Sequence, residues 1–514
     1  MTTRRDLLRN TAFLSAIAAL GIKPENVLAA AGGVLKVRME ADIQVLDPGY
    51  MIGGAETSIQ YACLPRLAVP VKAANGAWGW APSDYVEKIT QDDPTHISFT
   101  LKQGFKWASG KELTAGDVKY SFERMLKSDW AARWPTLDKV EVKDASNGVI
   151  VLKSPFAAAF LMGIASESGS VVPKGATEKL KDQKFTTELP GQCGPYTMVE
   201  WTPKQRVVIK ANADYPGAKP AFAEVHFINI EDANAAELAF EAGEVAITGI
   251  QPATAARYQK EPPAGAKVVN QPGPYYTWIG LNTEHEKLKD VRVRKAIQRA
   301  IDVNSILEAA YGGTAQLSHG VVPLGVNGNR SASKYGYNPE EARALLAEAG
   351  VKDLTLEFKT LNEAYRVTAA QIVQANLADV GIKLEIIPLD SGPFWNLGQE
   401  KQGQDYKGLQ LWWMRYRASP DPSDAIQWFV KSQVGVWNWE RWSDPEYEAL
   451  WTKGLAETET AKRAEIYLRM QEIMEDTGAY VWITHDPLNY VHTAALTPDF
   501  DTGGELRVEL FKQA

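Results

Sequence analysis

The segment of residues 97–126 joins a strand pattern directly to a helix pattern, and this limits the fold classes open to the chain. Residues 97–104, ISFTLKQG, alternate apolar and polar side chains as a half-buried strand does. After a Ser-Gly turn, Thr114 stands three residues before Asp117, which is the spacing of a helix capping box. Apolar residues then recur on one helix face: Val118, Phe122 and Met125. Strand and helix patterns mix in this way along the whole chain.

The first 31 residues carry an export pattern and are set aside from the fold. Arg4 and Arg5 precede an apolar run, residues 11–22, and small residues at 29–31 are typical of a cleavage site. The run is shorter than the roughly 20 apolar residues that span a bilayer. The paired arginines favour twin-arginine export; the alternative is a general secretion signal in which they are only the positive region. We expect a mature protein in the periplasm.

Charge and cysteine content restrict the partners of the mature chain. The sequence has 55 Lys and Arg against 63 Asp and Glu, and removal of residues 1–31 leaves 51 against 61, a formal charge of −10. This acidic balance argues against nucleic acid or an anionic membrane as partner. In an oxidising compartment a disulfide between Cys63 and Cys193 is open, but sequence does not fix their separation, and we expect two buried thiols.

No enzyme or metal motif stands out in the sequence. It contains neither a Gly-x-Ser-x-Gly elbow nor His-Glu-x-x-His nor a paired-cysteine metal motif. The Ser-Gly-Lys at residues 109–111 lacks P-loop spacing, since Glu112 follows the lysine. The six histidines show no strong ligand spacing. We predict no catalytic residue, no metal ligand and no cofactor.

A series of short blocks stands in order along nearly the whole mature chain. They are VLDPGYM (45–51), LTAGDV (113–118), GQCGPYTMVEW (191–201), IKANADYPG (209–217), AFEAGEVAI (239–247), KDVRVRKAIQRAIDVNSIL (289–307), YNPEEARALLAEAG (337–350) and WNWERWSDPEYEAL (437–450). Together they resemble the family 5 extracellular solute-binding proteins of ABC importers. Gly116 departs from the family, whose members carry an acid there, and Cys193 replaces a usual threonine.

The resemblance implies a two-lobed α/β periplasmic binding protein of type II with an extra inserted domain. The chain would cross between lobes at residues 278–282 and return at 481–487. Ligand would bind in the cleft between the lobes, which hinge closure buries. The implied segments are 32–67, 185–284 and 488–514 for lobe I, 68–184 for the inserted domain, and 285–487 for lobe II.

Peptide receptors of this family hold the ligand's amino terminus with an Asp that follows a Trp at the end of a second-lobe strand. The matching stretch here is LQLWWMRYRASPDPSD, residues 409–424. The Asp position falls on Tyr416 or on Ala418, depending on the anchor, and neither is acidic. Because a buried ammonium without a counter-charge is costly, the resemblance gives little support to a free peptide amine as the main recognition element.

Other side chains are the candidates for ligand contact. Arginine suits a carboxylate or phosphate, and aromatic rings suit sugars and other rings. On strand alternation we expect only one of Arg415 and Arg417 to face the cleft, and we favour Arg415. The candidate ligand-binding residues are Trp395, Trp413, Arg415, Tyr416, Tyr275, Tyr276, Asn282 and Tyr50.

The resemblance implies the substrate-binding component of an ABC importer rather than an enzyme. It would capture a peptide or peptide-like solute and deliver it to the permease subunits in the inner membrane, working as a monomer. The alternative ligand is a non-peptide anionic solute or a glycoside, such as an opine-like or sugar conjugate. More remote alternatives are a receptor for a nickel complex and an exported enzyme.

Overall fold

The computed structural model describes residues 33–50, 53–72 and 78–514, and the predicted α/β fold class is confirmed in them. The export segment with Arg4 and Arg5 lies outside the described residues. The strands are β1 (Val34–Met39), β2 (Ala68–Lys72), β3 (Trp78–Pro82), β4 (Val86–Asp93), β5 (His96–Leu101), β6 (Leu137–Val142), β7 (Asn147–Leu152), β8 (Tyr196–Thr202), β9 (Arg206–Ala211), β10 (Glu224–Asn229), β11 (Ile247–Gly249), β12 (Ala266–Leu281), β13 (Thr355–Leu361), β14 (Lys383–Leu389), β15 (Leu411–Arg417), β16 (Tyr480–Thr493), β17 (Leu496–Thr497) and β18 (Lys512–Gln513).

Helices alternate with these strands and cover the faces of the sheets. Several begin at an Asp or Asn cap, for example Asp302 and Asn338, whose side chains accept backbone N–H groups of the first turn. The helices are α1 (Gly54–Cys63), α2 (Ala115–Met125), α3 (Ala233–Glu241), α4 (Pro252–Lys260), α5 (Val291–Ala300), α6 (Val303–Tyr311), α7 (Pro339–Glu348), α8 (Ala364–Asp379), α9 (Ser391–Asn396), α10 (Pro422–Ile426), α11 (Pro445–Ala456) and α12 (Thr460–Asp476).

Ten strands form one large sheet in the order β14-β13-β15-β12-β16-β11-β1-β10-β9-β8. Its centre is the long antiparallel pair β12 and β16, which runs from Ala266 opposite Thr493 to Gly280 opposite Tyr480. The segments expected to carry the chain between lobes, 278–282 and 481–487, lie at the end of β12 and in β16, and they pair at Trp278 with Trp482 and at Ile279 with Val481. These two strands therefore connect the two ends of the sheet.

A separate four-stranded sheet has the order β4-β5-β7-β6. It contains β5, the strand predicted at residues 97–104, and α2 is the helix predicted to follow it. The backbone N–H and the hydroxyl of Thr114 both donate to Asp117 Oδ2 at 2.8 Å, and the predicted capping box starts α2. Val118 and Phe122 are fully buried in one cluster with Phe99 of β5. The predicted strand, turn and capped helix are confirmed.

The buried apolar residues divide into separate clusters. One is built mainly from residues 67–171, two from residues 276–483, and two from the remaining segments of the large sheet. Cys63 and Cys193 are buried free thiols, and burial raises the pKa of both. The Cys193 N–H donates to the Cys63 carbonyl at 3.0 Å. Among the residues described, no helix combines the length and apolar character needed to cross a bilayer.

Candidate functional site

A cleft of about 610 Å³ opens beside the central strands of the large sheet. Its floor comes from β12, β15 and β16, which are neighbours in the sheet order. Its walls come from chain segments far apart in sequence: 38–41, 53–56, 247–252 and 503–506. Four tyrosines are among the lining residues: Tyr275, Tyr311, Tyr365 and Tyr490. A cavity of this size with a few polar groups is the usual form of a small-molecule site.

Arg415, near the end of β15, is the arginine favoured from the sequence, and it lines the floor of the cleft. Its Nε lies 2.6 Å from Oδ2 of Asp486 on β16, and its guanidinium carbon lies 3.6 Å from the centre of the Tyr275 ring. The Arg415 side chain is 34% exposed, so it borders the cleft while its charge is already paired. A ligand anion would have to compete with Asp486 for it.

Asp486 is held from three sides. Besides the ion pair with Arg415, its Oδ1 accepts hydrogen bonds from the hydroxyls of Thr277 and Tyr311, both at 2.9 Å. Burial, with the Asp486 charge next in size, raises the pKa of Tyr311 well above its usual value, so this phenol stays a donor. Asp486 is thus a fixed structural acid of the floor, with its acceptor capacity largely used.

Arg417 corrects the expectation that strand alternation separates it from Arg415. Residues two apart on a strand point to the same face, and both side chains do so here, opposite Tyr275 and Thr277 of β12. What keeps Arg417 from lining the cleft is the loop of residues 501–505, which packs over it. A Cβ at Gly503 would lie 1.4 Å from Arg417 Nη2, so only glycine permits this approach.

Glu505 ends this loop and places its carboxylate in the cleft wall. Burial, followed by the neighbouring charge of Asp501, outweighs the attraction of Arg417 and raises the pKa of Glu505 to about 7. Its Oε1 lies 3.7 Å from Arg417 Nη1, a loose contact. The carboxylate therefore titrates near neutral pH beside the space where a ligand would sit.

Four of the candidate residues prove to be core or framework residues, and we correct those expectations. Trp413 is fully buried and lies in one cluster with apolar side chains of β12 and β16. Tyr276 alternates to the opposite face from Tyr275, where its hydroxyl donates to the Ala425 carbonyl at 3.0 Å. The other two donate to backbone carbonyls as well: Tyr416 Oη to Trp437 at 2.9 Å, and Asn282 Nδ2 to Leu409 at 2.9 Å.

Two further candidates are half-buried but do not line the cleft. Trp395 packs edge-on against Trp437 and Trp439, with ring centroids 6.5 Å from each. The ring of Tyr50 lies 4.7 Å from Lys184 Nζ. These two aromatic residues were candidates because of their positions in the sequence, and neither lines the floor or the walls of the cleft. Of the eight candidate ligand residues, Arg415 and Tyr275 do line the cleft.

Sequence reasoning missed the acids of the cleft. Asp486 lies within the predicted return crossover, VWITHDP, and could have been named there as a candidate cleft residue. Glu505 had no such signal, because it comes from a short C-terminal loop that only the fold brings to the site. In the part of the chain that the structure describes, no three His, Cys, Asp or Glu side chains are arranged to hold a metal ion.

The chain is similar to known proteins over most of its length. Residues 83–437 match the model of the bacterial extracellular solute-binding proteins, family 5, middle region. The probable D,D-dipeptide-binding periplasmic protein DdpA of Escherichia coli K12 is 26% identical over 468 residues, which cover 88% of each chain.

Two solved structures show a similar fold. The ABC transporter substrate binding protein CtaP from Listeria monocytogenes superposes with a TM-score of 0.81 at 23% identity, covering 94% of this chain and 99% of that one. The periplasmic binding protein DppA from Helicobacter pylori, in complex with the peptide STSA, gives a TM-score of 0.79 at 22% identity and covers 94% and 98%.

Proposed function

The chain belongs to the family 5 bacterial extracellular solute-binding proteins of ABC importers, and we propose that it captures a short peptide or peptide-like solute in the cleft beside β12, β15 and β16. It adopts the two-lobed fold of these binding proteins. Members of the family bind and deliver solutes rather than transform them. The observation that carries the proposal is the cleft of about 610 Å³ on the strands that connect the two ends of the sheet.

The walls of the cleft suit an extended ligand with a peptide-like main chain. Three wall segments contain glycine at the surface of the cleft, namely residues 53–54, residue 249 and residues 503–504. Where side chains are absent, an extended ligand can approach the wall closely, as peptide ligands do in their recognition sites. Tyr275, Tyr365 and Tyr490 provide apolar surface for the ligand's side chains.

Arg415 favours this ligand class over an anionic solute. An anion site needs a cation whose charge is not already balanced by an acid of the protein. Arg415 is paired with Asp486 at 2.6 Å, and Arg38, the other arginine of the wall, is paired with Glu40 at 3.4 Å. The wall residues also include more acids than arginines. The relatives named above that bind D,D-dipeptides and a tetrapeptide point in the same direction.

We extend the proposal to the lobes and to the way they move. Lobe I would comprise residues 32–67, 185–284 and 488–514, with residues 68–184 inserted and lobe II at 285–487. The separate apolar clusters support bodies that move relative to one another. β12 and β16 are then the connection about which the lobes close on the ligand.

The cellular setting follows from the export pattern and the family. Residues 1–31 are a signal peptide addressed by Arg4 and Arg5, the mature chain works in the periplasm as a monomer, and its macromolecular partner is the permease of an ABC importer. The formal charge of −10 that remains after residues 1–31 are removed disfavours nucleic acid as a partner.

The identity of the ligand decides the proposal. Protein purified from its own periplasm is examined by native mass spectrometry, and the released solute is identified. Calorimetry with dipeptides and tripeptides then measures the affinity of the emptied protein. We expect a peptide or an amide-linked analogue with a dissociation constant in the micromolar range or below. A sugar or an inorganic complex as the bound solute, with no peptide binding, would contradict the proposal.

A further inference from the structure

The carboxylate of Glu505 lies in the cleft wall with its acceptor capacity unused. Among the described residues, no N–H or O–H group donates a hydrogen bond to it, and its one ion-pair partner, Arg417, is 3.7 Å away. It lies against the backbone of Gly54, where an added Cβ would be 2.1 Å from Oε2. Glycine at position 54 therefore leaves the room that this carboxylate occupies.

The charge of Arg417 is shared among three acids. Nη2 lies 3.6 Å from Asp501 Oδ2, and Nη1 lies 3.9 Å from Glu167 Oε1 as well as 3.7 Å from Glu505 Oε1. Arg133 is the second cation of the group, with Nη1 2.9 Å from Glu167 Oε2. Three carboxylates therefore face two guanidinium groups. The buried Asp501 Oδ2 accepts no hydrogen bond, so the two guanidinium groups do not supply enough donors for the three carboxylates.

The other described arginines of the neighbourhood are paired with acids of their own. Arg415 is paired with Asp486 at 2.6 Å, and Arg507, behind the loop, is paired with Glu509 at 2.5 Å. The remaining acid that faces Glu505 electrostatically is Glu40, which adds to the negative potential. Glu40 and Glu505 both border the cleft, but Glu40 is paired with Arg38 at 3.4 Å, whereas Glu505 has only the shared charge of Arg417. The excess negative charge of the group is therefore open to a ligand at Glu505.

We propose that Glu505 binds a positively charged nitrogen of the ligand, an ammonium or guanidinium group, in place of the strand-end aspartate that is missing at Tyr416 and Ala418. The inference rests on the proposed function and gives its ligand a chemical class: a peptide or peptide-like solute with a free cationic nitrogen. It departs from the expectation from sequence that a free peptide amine is not the main recognition element. Charge-assisted hydrogen bonds to Glu505 replace solvent that the carboxylate would otherwise bind.

A dependence of affinity on pH follows from this assignment. The charged groups that face Glu505 are Arg417, Asp501, Glu40 and Glu167, and the phenols of Tyr275 and Tyr490 face it as well. Burial and the three acids outweigh Arg417 and raise the pKa of Glu505 to about 7. Only the ionised carboxylate attracts the cation. Affinity for a cationic ligand therefore rises from pH 5.5 to pH 7.5, and binding near pH 6.5 releases a proton to the buffer.

The test uses calorimetry on the mature full-length chain. The probes are dipeptides and tripeptides with a free amino terminus, and the same peptides with an acetylated amino terminus. We expect acetylation to weaken binding to the wild type by about 10-fold or more. Glu505→Gln, which keeps the shape and removes the charge, should lose a similar factor for the free peptides and little for the acetylated ones.

The control variant is Glu200→Gln, because Glu200 pairs with Arg206 on the surface of β8 and β9, outside the cleft. It should keep wild-type affinity. Equal affinity of free and acetylated peptides for the wild type, or unchanged binding by Glu505→Gln, overturns the inference while peptide binding itself stands. The pH series on the wild type needs no variant, and a flat profile between pH 5.5 and 7.5 also counts against it.

Failure of the proposed function has a different signature. If no peptide of the panel binds, the solute that co-purifies decides the inference separately. A bound solute with a cationic nitrogen and a loss of its binding in Glu505→Gln supports the assignment. A bound solute without such a group overturns it.

Discussion

Arg415 Nε lies 2.6 Å from Asp486 Oδ2, and this ion pair joins the end of β15 to β16 across the floor of the cleft. The two strands flank β12 and do not pair with each other, so the contact links them over its surface. Tyr275 of β12 lies under the guanidinium group at 3.6 Å. The pair fixes the shape of the floor, and a ligand anion would have to compete with Asp486 for the charge of Arg415.

The pair should therefore contribute to stability as a unit. Arg415→Met leaves Asp486 partly buried with only hydroxyl donors, and Asp486→Asn leaves the guanidinium without its counter-charge. Each change alone should lower the free energy of unfolding, and the double variant should lose less than the sum. Denaturant titrations of the four proteins should give a coupling energy of about 0.5–3 kcal/mol. Strict additivity would show that the two groups are solvated independently.

Glu440 should make stability depend on pH. It is fully buried, its Oε1 accepts from Trp278 Nε1 at 2.8 Å, and burial raises its pKa to about 8. An acid whose pKa is raised on folding is stabilising when protonated, so its contribution is complete below the unfolded pKa of 4.5 and is lost as pH rises through 8.

The matching variant is Glu440→Gln, which cannot ionise. Melting temperatures measured from pH 5 to pH 9 should fall more steeply for the wild type than for this variant. Glu472→Gln, on the exposed face of α12, serves as the control and should follow the wild type. Parallel curves for the wild type and Glu440→Gln would mean that the carboxyl group stays ionised in the folded chain.

Thr114→Ala tests whether the capped helix α2 is purely structural. The change removes a hydroxyl that donates to Asp117 Oδ2. We expect the free energy of unfolding to fall by about 0.5–2 kcal/mol, the usual cost of losing an N-cap residue. Ligand affinity, measured by calorimetry, should stay unchanged. A loss of affinity without a loss of stability would bring α2 into the site.

Ligand binding should close the lobes about β12 and β16. A ligand that binds only the native chain stabilises it, by about 2.7 kcal/mol at 100 times the dissociation constant. The melting temperature should rise, and small-angle scattering should show a smaller radius of gyration with ligand. Identical scattering profiles for the emptied and the saturated protein would contradict closure.

The export prediction is tested on the full precursor. Arg4→Lys together with Arg5→Lys keeps the positive charge but changes the pair that a twin-arginine receptor reads. Cell fractionation should then show the precursor retained in the cytoplasm. Normal periplasmic delivery of the double variant would identify residues 1–31 as a general secretion signal.

The sequence could predict two of the residues that line the cleft but not the full set of lining side chains. Arg415 and Tyr275 were reached from linear position, and both line the cleft. Trp413 was proposed on the same grounds and is fully buried in the core. Linear position names a strand end, but the packing of neighbouring elements decides which of its side chains remain accessible. For Arg417 that element is the loop of residues 501–505.

The sequence by itself determined the local units and the fold class. Alternation in residues 97–104, the cap at Thr114 and the ordered family blocks depend on neighbours a few residues apart, and short-range sterics and hydrogen bonds are encoded at that distance. Only the tertiary structure decided the charges of the cleft. Asp486 neutralises Arg415, and Glu505 reaches the wall because the C-terminal loop folds back against Gly54. Electrostatic pairing depends on separation in space, and no local pattern records which distant segments meet.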